Sequence, residues 1–120
     1  MTRNVPTDTL APLIDRIGTG DRGAFTQLYE ETSPRVRFFL MRMLGNETVV
    51  DDVLVETYTS VWQGASRFSG KSRVLTWVFA IARNQALKEI RKNKKHSSLE
   101  EVAEPAAPEV REHELTDRAQ

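Results

Sequence analysis

Apolar residues recur at helical spacing from Leu10 to Ile90, and no part of the chain shows the strict alternation of a half-buried strand. Leu10, Leu13, Ile14 and Ile17 share one face, with Asp8 or Thr9 available as cap and Pro12 confined to the first turn, where its missing N–H is harmless. Gly18-Thr-Gly20 ends that segment and Asp21 opens the next, which carries Phe25, Leu28 and Tyr29 and then Val36, Phe39, Leu40, Met43 and Leu44. Between these two sets, Ser33-Pro34 reads as either a restart or a kink. Gly45-Asn46 is a stop signal, and Thr48 is a good N-cap for a third helix with Asp51 near its positive end. Its stripe is Val50, Val53, Leu54, Thr57, Tyr58, Val61, Trp62 and Ala65. A loop around Gly70 leads to a last helix from Val74 to Lys92 that buries Leu75, Val78, Ile81, Ala82, Leu87 and Ile90. The pattern predicts an all-α fold, a compact bundle of about four helices over residues 8–95. Trp62 is assigned to the core, and Tyr29, Phe39 and Tyr58 to packing.

Residues 96–120 are different. They are rich in acids, poor in large apolar side chains and interrupted by Pro105 and Pro108. Such a segment buries too little surface to offset its ordering entropy and reads as a flexible linker or tail, with a weak helix over residues 109–118. There is no cysteine, and His96 and His113 have no partner at ligand spacing, so no disulfide, metal site or cofactor is expected. Gly70-Lys71-Ser72 ends like a phosphate loop but lacks the upstream glycine and the strand before it. No nucleophile–base pair is present either, so the chain is not expected to be an enzyme. The N-terminus has no apolar signal core and no run suits a membrane span, which points to the cytoplasm and no membrane insertion.

The formal net charge of zero conceals strong segregation. Residues 46–58 hold four acids and no basic residue, residues 67–95 hold nine basic residues and one acid, and residues 97–120 hold seven acids and two basic residues. Phe68, Trp77 and Phe79 are threaded through the basic stretch. Cations attract phosphates without regard to sequence, and aromatic faces can hold unstacked bases. A loop with both, running into a basic helix, is equipment for gripping opened nucleic acid.

Three stretches in register carry a family resemblance. Val50-Asp-Asp-Val-Leu-Val-Glu-Thr-Tyr-Thr-Ser-Val-Trp62, Phe68-Ser-Gly-Lys-Ser and Thr76-Trp-Val-Phe-Ala-Ile-Ala-Arg-Asn84 resemble the region-2 domain of an extracytoplasmic-function sigma factor of the sigma-70 family. Asp21-Arg-Gly-Ala-Phe-Thr-Gln-Leu-Tyr29 is similar to the opening of that domain. The resemblance implies a transcription initiation factor whose partners are core RNA polymerase, promoter DNA and an anti-sigma factor. Asp52 and Glu56, with Asp51 and Val55 beside them, would dock on the clamp helices of the polymerase largest-type subunit; Val55 stands where the family often has glutamine. The loop Arg67, Phe68, Ser69, Gly70, Lys71, Ser72 and Arg73 matches the segment that takes a flipped base of the non-template strand of the minus-ten element. The family commonly has an acid near Lys71 and a phenylalanine near Val74, so an altered base preference or pocket shape is expected here.

Further along, Thr76 and Trp77 match the upstream edge of the melted element, Asn84 the pocket or base-reading position, and Arg83, Lys88, Arg91 and Lys92 the phosphate track. Read from the residues alone, Phe68 packs the loop onto the core in preference to stacking on a base, and a tryptophan on an apolar helix is more often core than wedge; the resemblance, in which Trp77 follows Thr76, divides Trp77 evenly between the two. No counterpart of the family's region-4 helix-turn-helix follows Lys95, and the acidic segment corresponds to the interdomain linker. The rival reading is an interaction module of the same fold, binding an anti-sigma factor or polymerase without activating transcription.

Overall fold

A computed structural model describes residues 8–100, with side chains to Lys94. Within them the chain forms α1 (Ala11–Gly18), α2 (Arg22–Leu44), α3 (Glu47–Gly64), a 3-10 turn (Ala65–Arg67) and α4 (Val74–Glu100), with no strand among the described residues. The all-α expectation is met. Helices α2, α3 and α4 pack against one another, and α1 closes one end against α2 and the 3-10 turn. Of the tail expected over residues 96–120, residues 96–100 belong to α4, and the remainder, with its weak helix over residues 109–118, lies outside the described residues.

The helix ends follow local chemistry, with two departures from expectation. Asp21 caps α2 by accepting the Ala24 N–H at 3.1 Å, and this bond together with the Arg16 guanidinium holds its carboxyl below the usual carboxylate range. The α3 cap is Asn46, accepting from Val49 N at 3.1 Å, and not Thr48. Both residue types cap well, and Asn46 comes first after Gly45, whose own N–H bonds Met41 O at 2.9 Å. The second departure is that α4 continues to Glu100 and does not stop at Lys92. No glycine or proline intervenes before Pro105, and loss of an apolar stripe does not by itself end a helix.

Proline 34 sits inside α2, so neither segment restarts there. Buried Leu28 and Thr32 before it and buried Val36 and Leu40 after it hold the helix on one core despite the lost backbone donor. Thr32 donates to Leu28 O at 2.8 Å, so its oxygen accepts from the buried Tyr58 hydroxyl at 2.6 Å. Burial pushes the Tyr58 phenol up to about 12.

On α4 the buried residues are Val74, Val78, Ala82, Ala86 and Ile90, every fourth position. A row at that spacing is the ridge that packs into neighbouring helix grooves, and its small side chains let the backbones approach. Ile81 and Leu87 are only partly buried against the core, Leu75 is half-buried and lines a cleft, and Trp62 is 36% exposed, not a core residue as expected. Trp62 instead meets Phe25 edge-on at 5.3 Å, at the rim of an aromatic group that also holds Tyr29 and Tyr58.

Candidate nucleic-acid interface

The loop between the 3-10 turn and α4 is built around Gly70, which adopts φ 83°, a left-handed conformation that a side chain would strain. Ser69 Oγ accepts the Lys71 N–H at 3.3 Å, and Ser72 Oγ donates to Arg73 O at 3.3 Å. Lys71, Ser72 and Arg73 are exposed. Phe68 is half-buried against the core, its ring 4.9 Å from Trp77 at 49°, as the packing reading expects. Trp77 is also half-buried, and its indole lies so close to Gly64 that a Cβ there would stand 3.3 Å from the ring.

The first turn of α4 is anchored by a residue far away in sequence. Asp8 Oδ2 accepts the Val74 N–H at 2.8 Å while Oδ1 accepts the Leu10 N–H at 3.2 Å. Asp8 was expected only as a cap for α1; α1 has Leu10 at its N-cap position with no side-chain cap, and the carboxylate ties the two helix starts together. Beside it is a cleft of about 380 Å³ lined by Asp8, Thr9, Leu10, Glu31, Thr32, Arg35, Arg73, Leu75 and Thr76. Arg35 is a cleft residue that sequence reasoning missed, because its placement depends on how α2 lies along α4.

Along α4 the exposed side chains Thr76, Ala80, Asn84 and Lys88 follow one another at four-residue steps, opposite the buried row. Arg91, Lys92 and Lys94 are exposed beyond them, while Arg83 is half-buried. One acid interrupts the cations: Glu89 lies 3.9 Å from Lys92.

Helix α3 presents Asp51, Asp52, Val55 and Glu56 to solvent, with Val55 67% exposed. They are not equivalent. Arg37 of α2 pairs with Asp51 and reaches Glu47 at 3.6 Å, and this carboxylate partnership raises the Arg37 guanidinium above its ordinary range. Among the described residues Asp52 and Glu56 have no ion-pair partner. A groove of about 420 Å³ separates the two charged faces, with Glu56, Thr59 and Ser60 on one wall and Gln85, Lys88, Glu89 and Lys92 on the other.

The Sigma-70 region 2 family model matches residues 28–96, more than half of the chain and all of the two faces just described. The chain belongs to the Sigma-70 region 2 family. That family is one of transcription initiation factors and not of enzymes. This region 2 chain is 31% identical over 112 residues to RNA polymerase sigma factor CarQ of Myxococcus xanthus, covering 85% of the chain and 64% of CarQ. It is 32% identical over 83 residues to the ECF RNA polymerase sigma factor SigK of Mycobacterium tuberculosis, covering 68% of the chain and 44% of SigK. It is also 32% identical over 75 residues to the ECF RNA polymerase sigma factor RpoE of Cereibacter sphaeroides, covering 62% of the chain and 41% of RpoE. The chain thus spans between 41% and 64% of the length of these relatives. No described helix of this region 2 chain is long and apolar enough to cross a membrane.

Proposed function

We propose that this chain is the promoter-opening part of a sigma factor, acting in the cytoplasm with core RNA polymerase. Asp52, Val55 and Glu56 dock on the clamp helices of the largest-type subunit. The loop Arg67 to Arg73 and the outer ridge of α4 capture the non-template strand of the minus-ten element. Asn84 recognises a base, and Lys71, Arg73, Lys88, Arg91 and Lys92 hold phosphates. An anti-sigma factor competes for one of these faces. Opening needs no chemical step: contacts made only to unpaired bases offset the cost of unpairing.

The observation that supports this reading best is the division of charge between adjacent helices of a Sigma-70 region 2 chain. On α3 two acids flank an exposed valine and have no intramolecular ion-pair partner among the described residues, an arrangement suited to steering and registering a basic partner. On α4 an exposed asparagine, Asn84, stands one turn before Lys88 and the cations beyond it, where it contributes nothing to the core.

The docking half is tested by reversing Asp52 and Glu56 together to lysine. The variant should keep its helical circular dichroism and lose co-purification with core polymerase; undiminished binding would refute the assignment. The capture half is tested on a panel of single-stranded oligonucleotides and their duplexes. Asn84→Ala should weaken only some sequences, whereas Lys88→Ala should weaken all of them and reduce the salt dependence. Equal affinity for duplex and single strand, with both variants acting alike on every sequence, would leave only a non-specific basic patch.

A further inference from the structure

Helix α2 carries a surface that neither the core nor the proposed docking face uses. Phe38 is 66% exposed, the highest value among the described large aromatics. Arg35 precedes it by three residues and Arg42 follows by four, so the three side chains share one helical face. The Arg42 guanidinium lies 6.0 Å from the Phe38 ring centroid, a cation–π arrangement on an open surface. Among the described residues neither arginine has a carboxylate within ion-pair distance.

Two contacts fix where this stripe lies. Arg35 lines the same cleft as Arg73 and Thr76 at the start of α4, and Phe39 meets Phe79 edge-on at 5.2 Å one turn further along. The α2 stripe therefore adjoins the loop and ridge assigned above to nucleic acid. That cleft also holds two acids: Asp8, which accepts two backbone N–H groups, and the exposed Glu31, which accepts from Gln27 Nε2 at 3.1 Å.

We propose that Arg35, Phe38 and Arg42 form a second nucleic-acid contact, in which the arginines hold two phosphates and Phe38 supplies a platform for one unstacked base. The inference rests on the α4 reading, since it extends that surface onto α2. An exposed ring between two cations is matched by a polyanion whose bases have flat faces. An acidic protein segment would satisfy the arginines and leave the ring without a partner of its own kind.

The test uses the full chain with three probes of equal length: single-stranded oligothymidylate, an abasic oligonucleotide and a duplex. Phe38→Ala should weaken oligothymidylate binding by about 5- to 160-fold, the range of one base–aromatic stack, and leave the abasic probe unaffected. Replacing Arg35 and Arg42 together by alanine should lower the slope of log affinity against log salt on the single strand by about 1.4. All three positions are solvent-facing or cleft-lining, and circular dichroism checks that the variants fold. If Lys88→Ala weakens binding while the α2 variants do not, the stripe is no contact and the α4 reading survives. If Lys88→Ala is silent as well, the α4 reading itself has failed. If Phe38→Ala weakens only association with core polymerase, the stripe is a protein contact and the proposal is overturned.

Discussion

Replacing Asp8 by alanine removes both hydrogen bonds that join the start of α1 to the start of α4. The Val74 N–H belongs to a residue that is fully buried, so it loses a charged acceptor without an equivalent replacement. Removing a helix-capping side chain costs about 0.5–2 kcal/mol. The carboxylate also faces the positive end of a long helix, which contributes about 0.3–1 kcal/mol more. Together these give a loss of about 2 kcal/mol, equivalent to roughly 10 °C in Tm for a domain of this size. Urea titration followed by circular dichroism measures it, and Asp8→Asn, which keeps one acceptor oxygen and no charge, should fall between the parent and alanine. Amide exchange should show the loss concentrated at Val74 to Trp77. A change below about 0.5 kcal/mol for Asp8→Ala, the ordinary range of a surface substitution, would refute the argument that residue 8 fixes α4.

Other expectations follow from the same contacts. Tyr58→Phe leaves the buried Thr32 oxygen without its donor and should cost about 1–2 kcal/mol in urea titration, while adding Thr32→Val should cost less than the sum of the single changes. Because burial raises the Tyr58 phenol from 10.0 to about 12, its contribution to stability is complete below pH 10 and declines as pH rises through that interval. Tyr58→Phe should remove this alkaline loss in paired titrations below and above pH 10. Asp51→Ala, which breaks an exposed pair with Arg37, should leave both stability and polymerase co-purification close to the parent, unlike the Asp52 and Glu56 reversal.

The helices were legible because their order follows from local spacing. Leu13, Ile14 and Ile17, or Val50, Val53, Leu54 and Val61, are buried where the period of 3.6 places them. Ends were less legible: Asn46 and Thr48 are both competent caps two residues apart, and only the turn made at Gly45 selects the first. Trp62 follows Tyr58 by four and looked like core, yet the α3 stripe drifts and leaves it on the rim beside Phe25. The composition and order of the candidate faces were also legible, since Asp52, Val55 and Glu56, and Thr76, Asn84 and Lys88, recur at helical intervals. What the sequence concealed was long-range: Asp8 meeting Val74, Arg37 holding Asp51 apart from Asp52, and Arg35 entering the cleft with Arg73. No local pattern encodes a partner 66 residues away.

The buried row of α4 ends at Ile90, but the helix continues to Glu100. At 1.5 Å per residue, the part beyond the core projects about 15 Å. This arm makes angular phase a heritable property separate from stability. Inserting a single residue just after Ile90 would turn Arg91 and Lys92 by about 100° about the helix axis, away from the bearing of Asn84 and Lys88, while leaving every core contact in place. Inserting four would bring them back to within about 40° and carry them about 6 Å further out. The arm can therefore be re-aimed or lengthened by small insertions that the body would not register, which gives one bundle many ways to address what lies beyond its end.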